Sequence, residues 1–125
     1  MRLLLDTHAI IWYAQGLPLL SSSARNAMER EECFFSMVSL WEIAIKQRLG
    51  KLRFTASIPA ISVFCKAAGF FPLGITPAHA EAIKTLPDIH RDPFDRMLVA
   101  QAQVEGLSVV TKDTFIPQYQ VDTLW

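Results

Sequence analysis

Short apolar runs alternate along this chain with longer segments of helical periodicity. Such short apolar runs are typical of strands that are buried on both faces of a sheet. The runs predict four strands and a short fifth one, at Leu3 to Leu5, Cys33 to Met37, Phe70 to Leu73, Leu107 to Val110 and Val121 to Leu124.

Helical segments fill the intervals between the predicted strands, with Ser or Pro near their starts and Gly near several of their ends. In the third helix, Trp41, Ile45 and Leu49 share one face. The predicted helices run through Ala9 to Gly16, from Ser21 toward Arg30, from Ser39 to Gly50, near Ile58 to Ala67, from Pro77 onward, and from Asp92 to Gly106, with a loop over Thr85 to Arg91.

This order of elements predicts the architecture. Strands that alternate with helices pair in parallel through right-handed crossovers. We therefore expect an α/β fold, a three-layer α/β/α sandwich with a central parallel sheet. No repeat, low-complexity tract or linker interrupts the pattern, so residues 1–125 are expected to form a single domain.

Composition narrows the class of protein. The chain is 51% hydrophobic and 19% charged, which is enough apolar material for a core, and its formal net charge is zero. Cys33 and Cys65 lack metal-binding or redox spacing and are interpreted as buried apolar residues in a reducing compartment. With no signal peptide and no run of about 18 apolar residues, the protein is expected to be soluble and cytoplasmic.

Four acidic residues stand where predicted strands end or helices begin: Asp6, Glu42, Asp95 and Asp113. In a parallel sheet all strands end at one edge, and the following helices begin there, so the topology brings these acids to the ligand-binding crevice of open α/β sheets. Carboxylates gathered in apolar surroundings repel one another unless a cation joins them. A hard divalent ion such as Mg²⁺ or Mn²⁺ is the expected answer, and such sites commonly serve phosphate chemistry.

Each acid also has a purely structural explanation. Ser39 and Glu42 match a capping box, Asp92 is a candidate N-cap with Asp95 one turn further on, and Asp6 and Asp113 suit a helix cap and a turn. Taken singly, capping is the better explanation. Taken together, convergence on one crevice favours a site, because caps are needed wherever a helix begins.

The basic residues allow two interpretations. Lys46, Arg48, Lys51 and Arg53 form a local cluster that is either a phosphate-tracking patch or scattered solvated side chains. If the four acids share a pocket, the remaining surface is net basic by four. The histidines His8, His79 and His90 share no metal-ligand spacing, so surface or loop positions are expected for them.

Four stretches resemble PIN domains, and most closely the VapC-type toxins of bacterial toxin–antitoxin pairs. They are Leu-Leu-Leu-Asp-Thr-His at the start, Val38 to Lys46, His90 to Ala102, and Val109 to Asp113. Their order and spacing match over essentially the whole chain.

The resemblance implies a metal-dependent ribonuclease whose catalytic and metal-binding residues are Asp6, Glu42, Asp95 and Asp113. Thr7, Ser39 and Thr111 would hold those ligands or a metal-bound water, and Asp92 would be a cap or a spare acid. Arg96 and Lys112 are candidates for contact with substrate phosphate. The resemblance further implies a homodimer and a small antitoxin partner. Our hypothesis is hydrolysis of single-stranded or loop RNA with Mg²⁺ or Mn²⁺ as cofactor.

Other functions remain open at the level of sequence. A PIN-like module without catalysis would keep the acids as caps and as a docking surface for a basic peptide, and an RNA-processing nuclease would share the chemistry but not the toxin role. A phosphoryl-accepting receiver domain is disfavoured, because such domains pair two adjacent acids after the first strand, whereas Thr7 and His8 follow Asp6 here.

Overall fold

A five-stranded parallel sheet lies at the centre of the protein, in a computed structural model that describes residues 1–125. The order of the strands is β3-β2-β1-β4-β5, so the first strand is the central one. Leu3 of β1 lies opposite Cys33 of β2 on one side and Ser108 of β4 on the other. The predicted parallel sheet is confirmed; its strands are β1 (Arg2–Leu5), β2 (Glu32–Ser36), β3 (Phe71–Leu73), β4 (Ser108–Val110) and β5 (Thr123–Leu124).

Six α-helices connect the strands, and all six begin at a residue whose side chain accepts a hydrogen bond from a backbone N–H of the first turn. Glycines in the left-handed conformation end α1 and α6, at Gly16 and Gly106. The helices are α1 (Thr7–Gln15), α2 (Ser22–Arg30), α3 (Met37–Arg48), α4 (Ile58–Ala67), α5 (Pro77–Ile83) and α6 (Pro93–Glu105), with a 3₁₀ turn at Ile116–Gln118.

The side chains of β1 alternate between two hydrophobic cores, one on each face of the sheet. Leu3 and Leu5 belong to the core formed with α1 to α4, and Leu4 belongs to the core formed with α6 and the 3₁₀ turn. All three leucines are fully buried, and each such burial stabilises the fold by about 2–3 kcal/mol relative to exposure. The sheet is thus covered on both faces, as the three-layer prediction requires.

The third helix begins earlier than the sequence predicts. Its N-cap is Ser36, whose hydroxyl accepts a hydrogen bond from the Val38 amide at 3.1 Å and donates to the Gln101 amide oxygen at 2.6 Å. The capping box predicted for Ser39 and Glu42 is therefore wrong. Glu42 is the sixth residue of α3 and lies in the second turn.

The buried face of α3 also differs from the predicted one. Trp41 and Leu49 are 57% and 59% exposed, whereas Leu40 and Ile43 pack into the core. The predicted face was wrong because α3 carries apolar residues on more than one side. The same rotation that exposes Trp41 turns Ser39 and Glu42 inward, and both are buried.

Both cysteines are free thiols buried in the protein. Burial raises the pKa of the Cys33 and Cys65 thiols to about 11, which leaves them mostly protonated and unreactive near neutral pH. The longest helix, α6, has 13 residues, and the structure contains no helix that could span a membrane.

Candidate active site

A cavity of about 400 Å³ opens at the carboxyl edge of the sheet. Asp6 follows β1, Glu42 lies in α3, Asp95 lies in the first turn of α6, and Asp113 follows β4. All four line this cavity, and Asp92 is a fifth acid in its wall. The other lining residues are His8, Ala9, Trp12, Lys46, Lys112, Thr114 and Trp125.

Asp6 is the most deeply held of these acids. One of its carboxylate oxygens accepts a hydrogen bond from the Thr7 amide at 2.7 Å, and the other accepts one from the Thr111 hydroxyl at 2.7 Å. Burial raises the pKa of Asp6 above its usual value, while the hydrogen bonds from Thr111 and Thr7 and the charge of His8 oppose that rise. The carboxylate is thus fixed in orientation with little solvent to share its charge.

Glu42 is held by a chain of side chains that runs from α1 to α3. The Thr7 hydroxyl donates to Glu42 Oε1 at 2.6 Å and lies 2.9 Å from the hydroxyl of Ser39. Lys46, one turn further along α3, donates to Glu42 Oε2 at 2.5 Å. Thr7 and Ser39, which the sequence marked as supporting residues, therefore contact a site acid directly or through one hydroxyl.

Lys46 supplies a positive charge inside the cavity. Burial acts to lower the pKa of its ammonium group, but the hydrogen bond and charge of Glu42, together with the charges of Asp92 and Asp95, outweigh burial and raise that pKa. The sequence left open whether Lys46 belongs to a phosphate-tracking patch or is a solvated side chain; in the structure its ammonium group contacts Glu42 at the cavity. It partly neutralises the acids.

Asp95 is paired with His90. Its Oδ2 atom lies 3.1 Å from His90 Nε2, and the other ring nitrogen of His90 lies 2.8 Å from the Tyr119 hydroxyl. The His90 ring also stacks on Phe115, with centroids 4.8 Å apart and planes 8° from parallel. Asp95 is thereby anchored from the loop before α6 and from the segment after β4.

The pKa of Asp95 is raised to about 7. Burial is the largest cause, the hydrogen bond from His90 opposes it, and the negative charges of Asp6, Asp92 and Asp113 add to it. Such an acid is half protonated near neutral pH, and groups with strongly shifted pKa values concentrate at functional sites.

Asp92 caps a helix, and Asp113 stabilises a turn. Asp92 Oδ1 accepts from the amides of Phe94 and Asp95, which makes it the N-cap of α6. Asp113 Oδ2 accepts from the amides of Phe115 and Ile116, at 2.7 and 2.8 Å. The structural explanation of these two acids is thus correct, and each still has a second oxygen with no such bond.

Thr111 joins two of the site acids. Its hydroxyl donates to Asp6 and accepts a hydrogen bond from the Asp113 amide at 2.9 Å. It is buried at the end of β4, so a change in its position would move two acids together.

The two basic residues that were candidates for phosphate contact differ. Lys112 is exposed and lines the cavity. Arg96 does not line it; its guanidinium donates to the carbonyl oxygens of Pro87 and His90 and to the Tyr119 hydroxyl. Arg96 instead fastens the loop that carries His90, so only Lys112 is retained as a candidate for substrate contact.

The donor set suits a hard divalent cation. The acids offer only carboxylate oxygens, which Mg²⁺ and Mn²⁺ prefer. No three of the His, Cys, Asp and Glu side chains stand close enough together to form a ready-made cage for one ion. Mg²⁺ does not require such a cage, because it is usually held by one or two carboxylates and keeps several waters. The residues present therefore fit Mg²⁺ by their chemistry.

Sequence reasoning missed the roles of His90, which contacts Asp95, and of Lys46 and Trp125, which line the cavity. The contact of His90 with Asp95 had a usable signal, since the two lie five residues apart across a helix start. Lys46 had one as well, being four residues after Glu42 on a helix. Trp125 had none, because only the pairing of β5 with β4 brings it to this edge.

Comparison with known proteins agrees on one family. The PIN domain family model matches residues 3–121. The chain is 32% identical over 113 residues to the ribonuclease VapC22 of Mycobacterium tuberculosis, an alignment that covers 88% of this chain and 85% of that protein.

Solved structures with the same fold are toxin–antitoxin complexes. VapBC2 from Rickettsia felis, bound to a promoter DNA fragment, matches with a TM-score of 0.74 at 11% identity, covering 100% of this chain and 99% of that one. VapBC-1 from nontypeable Haemophilus influenzae matches with a TM-score of 0.69 at 16% identity, covering 99% and 97%. At these identities the likeness is one of fold.

Proposed function

Since the chain belongs to the PIN domain family, we propose that it is an endoribonuclease that uses Mg²⁺ or Mn²⁺ to hydrolyse single-stranded or loop RNA, and that it is the toxin of a toxin–antitoxin pair. The observation that carries the proposal is the meeting of Asp6, Glu42, Asp95 and Asp113 in one cavity. Local backbone bonds account for Asp6 and Asp113, but Glu42 and Asp95 cap no helix and still lie in the same cavity.

The proposed roles follow from how each acid is held. Asp6 and Asp95 would hold the principal ion, with Glu42 and Asp113 completing its surroundings directly or through water. A divalent ion bound there supplies an activated water and neutralises charge on the attacked phosphate. The hydroxyls of Thr7 and Thr111 keep the carboxylates of Glu42 and Asp6 in fixed orientations through bonds of 2.6 and 2.7 Å, which lowers the cost of arranging them for each turnover.

Lys46 and Lys112 have different proposed roles. Lys46 acts as an internal counter-ion that keeps the acids together, as its bond to Glu42 supports. Lys112 is exposed at the cavity and would contact a phosphate of the RNA. No covalent nucleophile from the protein is needed, because a water completes the hydrolysis.

The partners and setting of the protein are part of the same proposal. The structures that it resembles are complexes of a toxin with an antitoxin, so we infer a small antitoxin protein as partner, and a homodimer acting in the cytoplasm. Co-purification with the product of the adjacent gene would test the first, and the molar mass in solution would test the second.

Cleavage of a structured RNA tests the chemistry. Wild-type protein, Asp6→Asn and Asp95→Asn are incubated with RNA in Mg²⁺, in Mn²⁺ and in a chelator. We expect cleavage only by the wild type and only with metal. Asp122→Asn is the matched control, because Asp122 is an exposed acid that precedes β5 at the opposite edge of the sheet, and it should cleave as the wild type does.

Two results would overturn this proposal. Cleavage that persists in chelator and in both variants would exclude the mechanism. No cleavage by the wild type, with no Mn²⁺ binding by calorimetry, would instead favour the module without catalysis.

A further inference from the structure

One wall of the cavity is aromatic, and the proposed chemistry makes no use of it. The ring centroids of His8 and Trp12 are 5.3 Å apart, and those of Trp12 and Trp125 are 5.7 Å apart with the rings nearly edge to face. All three line the same cavity as the acids. We call His8, Trp12 and Trp125 the aromatic wall.

The wall is supported from behind. Trp12 and Trp125 are half-buried and pack against the core on the α1 to α4 side of the sheet, while His8 is exposed. The remaining surface of these rings borders the cavity. A rigid aromatic surface that is already ordered in the protein can bind a flat ligand without the entropic cost of ordering side chains.

The neighbours of the wall limit what that ligand can be. The acids that line the same cavity would repel an anionic group that arrived without a cation, and an aliphatic chain would leave their charges without a polar partner. A nucleobase is uncharged and planar, and its π-face stacks on aromatic rings. Because the wall and the acids share one cavity of about 400 Å³, a phosphate that reaches the acids brings its attached base close to the wall.

We propose that the aromatic wall is a stacking subsite for one unpaired nucleobase next to the phosphate that is cleaved, with Trp12 at its centre. The inference rests on the proposed function and adds to it a reason for the choice of unpaired RNA. A cavity of this volume lies in the lower part of the range for small-ligand sites, and it suits one splayed nucleotide rather than a duplex. In a duplex the faces of each base are covered by its neighbours, so stacking on the wall requires an unstacked base.

Abasic RNA tests the subsite without relying on cleavage. Labelled RNA octamers, each lacking one base at a different position, are titrated in Mg²⁺ with Asp95→Asn protein so that the RNA stays intact. We expect that removing one particular base weakens binding about tenfold, within the range for one stacked base. Adding Trp12→Leu should weaken binding of the intact octamer by a similar factor and should remove the penalty of the abasic position.

The control is a third tryptophan. Trp41 is 57% exposed and lies outside the cavity, edge to face with Phe94 at 5.2 Å. Trp41→Leu in the same background should bind both octamers as its parent does. Equal effects of Trp12→Leu and Trp41→Leu, or an abasic penalty that Trp12→Leu leaves unchanged, would overturn the subsite.

A second measurement covers the case in which Trp12→Leu does not fold. With unsubstituted Trp12, 2-aminopurine at the same position of the octamer should lose fluorescence on binding, because its ring stacks on the wall. Its fluorescence should stay unchanged at the other positions. No quenching at any position would overturn the inference.

The two proposals can fail separately. Metal-dependent cleavage by the wild type without base-dependent binding would support the proposed nuclease and contradict the proposed subsite. Base-dependent binding that requires Trp12, without cleavage by the wild type, would support the proposed subsite and contradict the proposed nuclease.

Discussion

Two kinds of contact to a carboxylate, one from a histidine and one from a lysine, occur both at the cavity and away from it. At the cavity are His90 with Asp95 at 3.1 Å and Lys46 with Glu42. Outside are His79 with Glu105 at 2.8 Å and Lys84 with Glu81 at 3.1 Å. Geometry alone does not distinguish the two regions, since the distances within the pairs are similar.

The difference lies in what surrounds each carboxylate. Burial, together with the nearby charges of Asp6, Asp92 and Asp113, raises the pKa of Asp95 to about 7. The Glu81 side chain is 70% exposed and Glu105 is 34% exposed, so solvent screens both. Acids that lie close together and are partly buried destabilise the folded state. Such destabilising groups are found mainly where function requires them.

Neutralising the glutamate of each lysine pair should give the largest difference between the two regions, measured as the rate of RNA cleavage. Glu42→Gln should lower the rate of RNA cleavage at least a hundredfold, about 3 kcal/mol in activation free energy, because it removes a proposed ligand. Glu81→Gln should stay within about twofold, since Glu81 is solvated and remote from the chemistry. Single-turnover cleavage rates measure both. Similar rates for the two variants would remove Glu42 from the site.

Truncating the two histidines should give the opposite order of effects on stability. His79 is fully buried, accepts from the Thr76 amide at 3.0 Å and completes the capping box of α5. His79→Ala should lower the free energy of unfolding by about 3 kcal/mol, through a lost cap and an internal cavity. His90→Ala should cost about 1 kcal/mol, since its partner Asp95 can take up a proton instead.

Urea unfolding in metal-free buffer measures the two histidine variants. Glu105→Gln provides a check, because it weakens only one bond of His79 and should cost less than His79→Ala. An equal loss for His79→Ala and His90→Ala would mean that crowding does not separate the two regions.

The pH dependence of stability should expose the crowded acids. In its folded state Asp95 has a pKa of about 7, against a usual value of 3.8, so between these values the native state holds a proton that the unfolded state has released. The free energy of unfolding should therefore fall as the pH rises from about 4 to 7, and level off above. We expect about 2 kcal/mol, roughly half of what the whole pKa shift would give, because water reaches the cavity.

Asp95→Asn should flatten that profile in chelator, and its stability at pH 8 should exceed that of the wild type. Glu105→Gln should leave the profile unchanged. Urea unfolding at each pH measures both, and a wild-type profile that rises between pH 4 and 7 would contradict the raised pKa.

The two lysine pairs should show the smallest difference in their effects on stability. Lys46→Met should lower metal-free stability by about 1 kcal/mol, because Glu42 would then keep a buried charge without its partner. Lys84→Met should change stability by less than about 0.5 kcal/mol, as exposed pairs do. Lys46→Met should also increase the stabilisation by added Mn²⁺, since the ion then meets no internal competitor. Thermal unfolding with and without Mn²⁺ tests both statements.

Sequence reasoning succeeded where local pattern and topology agree. Leu3 to Leu5 form a buried strand because both faces of the sheet are covered, and the meeting of Asp6 with Asp113 follows from β1 and β4 being parallel neighbours. The predicted start of α3 was wrong because Ser36 and Ser39 are both good N-cap residues. The tertiary hydrogen bond from Ser36 to Gln101 favours Ser36 as the cap. Nothing in the sequence around Trp125 predicts its place beside Trp12, since a contact over that separation depends on the whole sheet.

The acids that line the cavity come from distant parts of the chain. Asp6, Glu42, Asp95 and Asp113 come from four separate segments, and β4 must insert beside β1 before the last of them arrives. A nascent polypeptide therefore cannot bring the four acids together until residue 113 has left the ribosome. A nuclease built in this way would be harmless to its own messenger RNA during most of translation, and cleavage would begin only once the native sheet is complete.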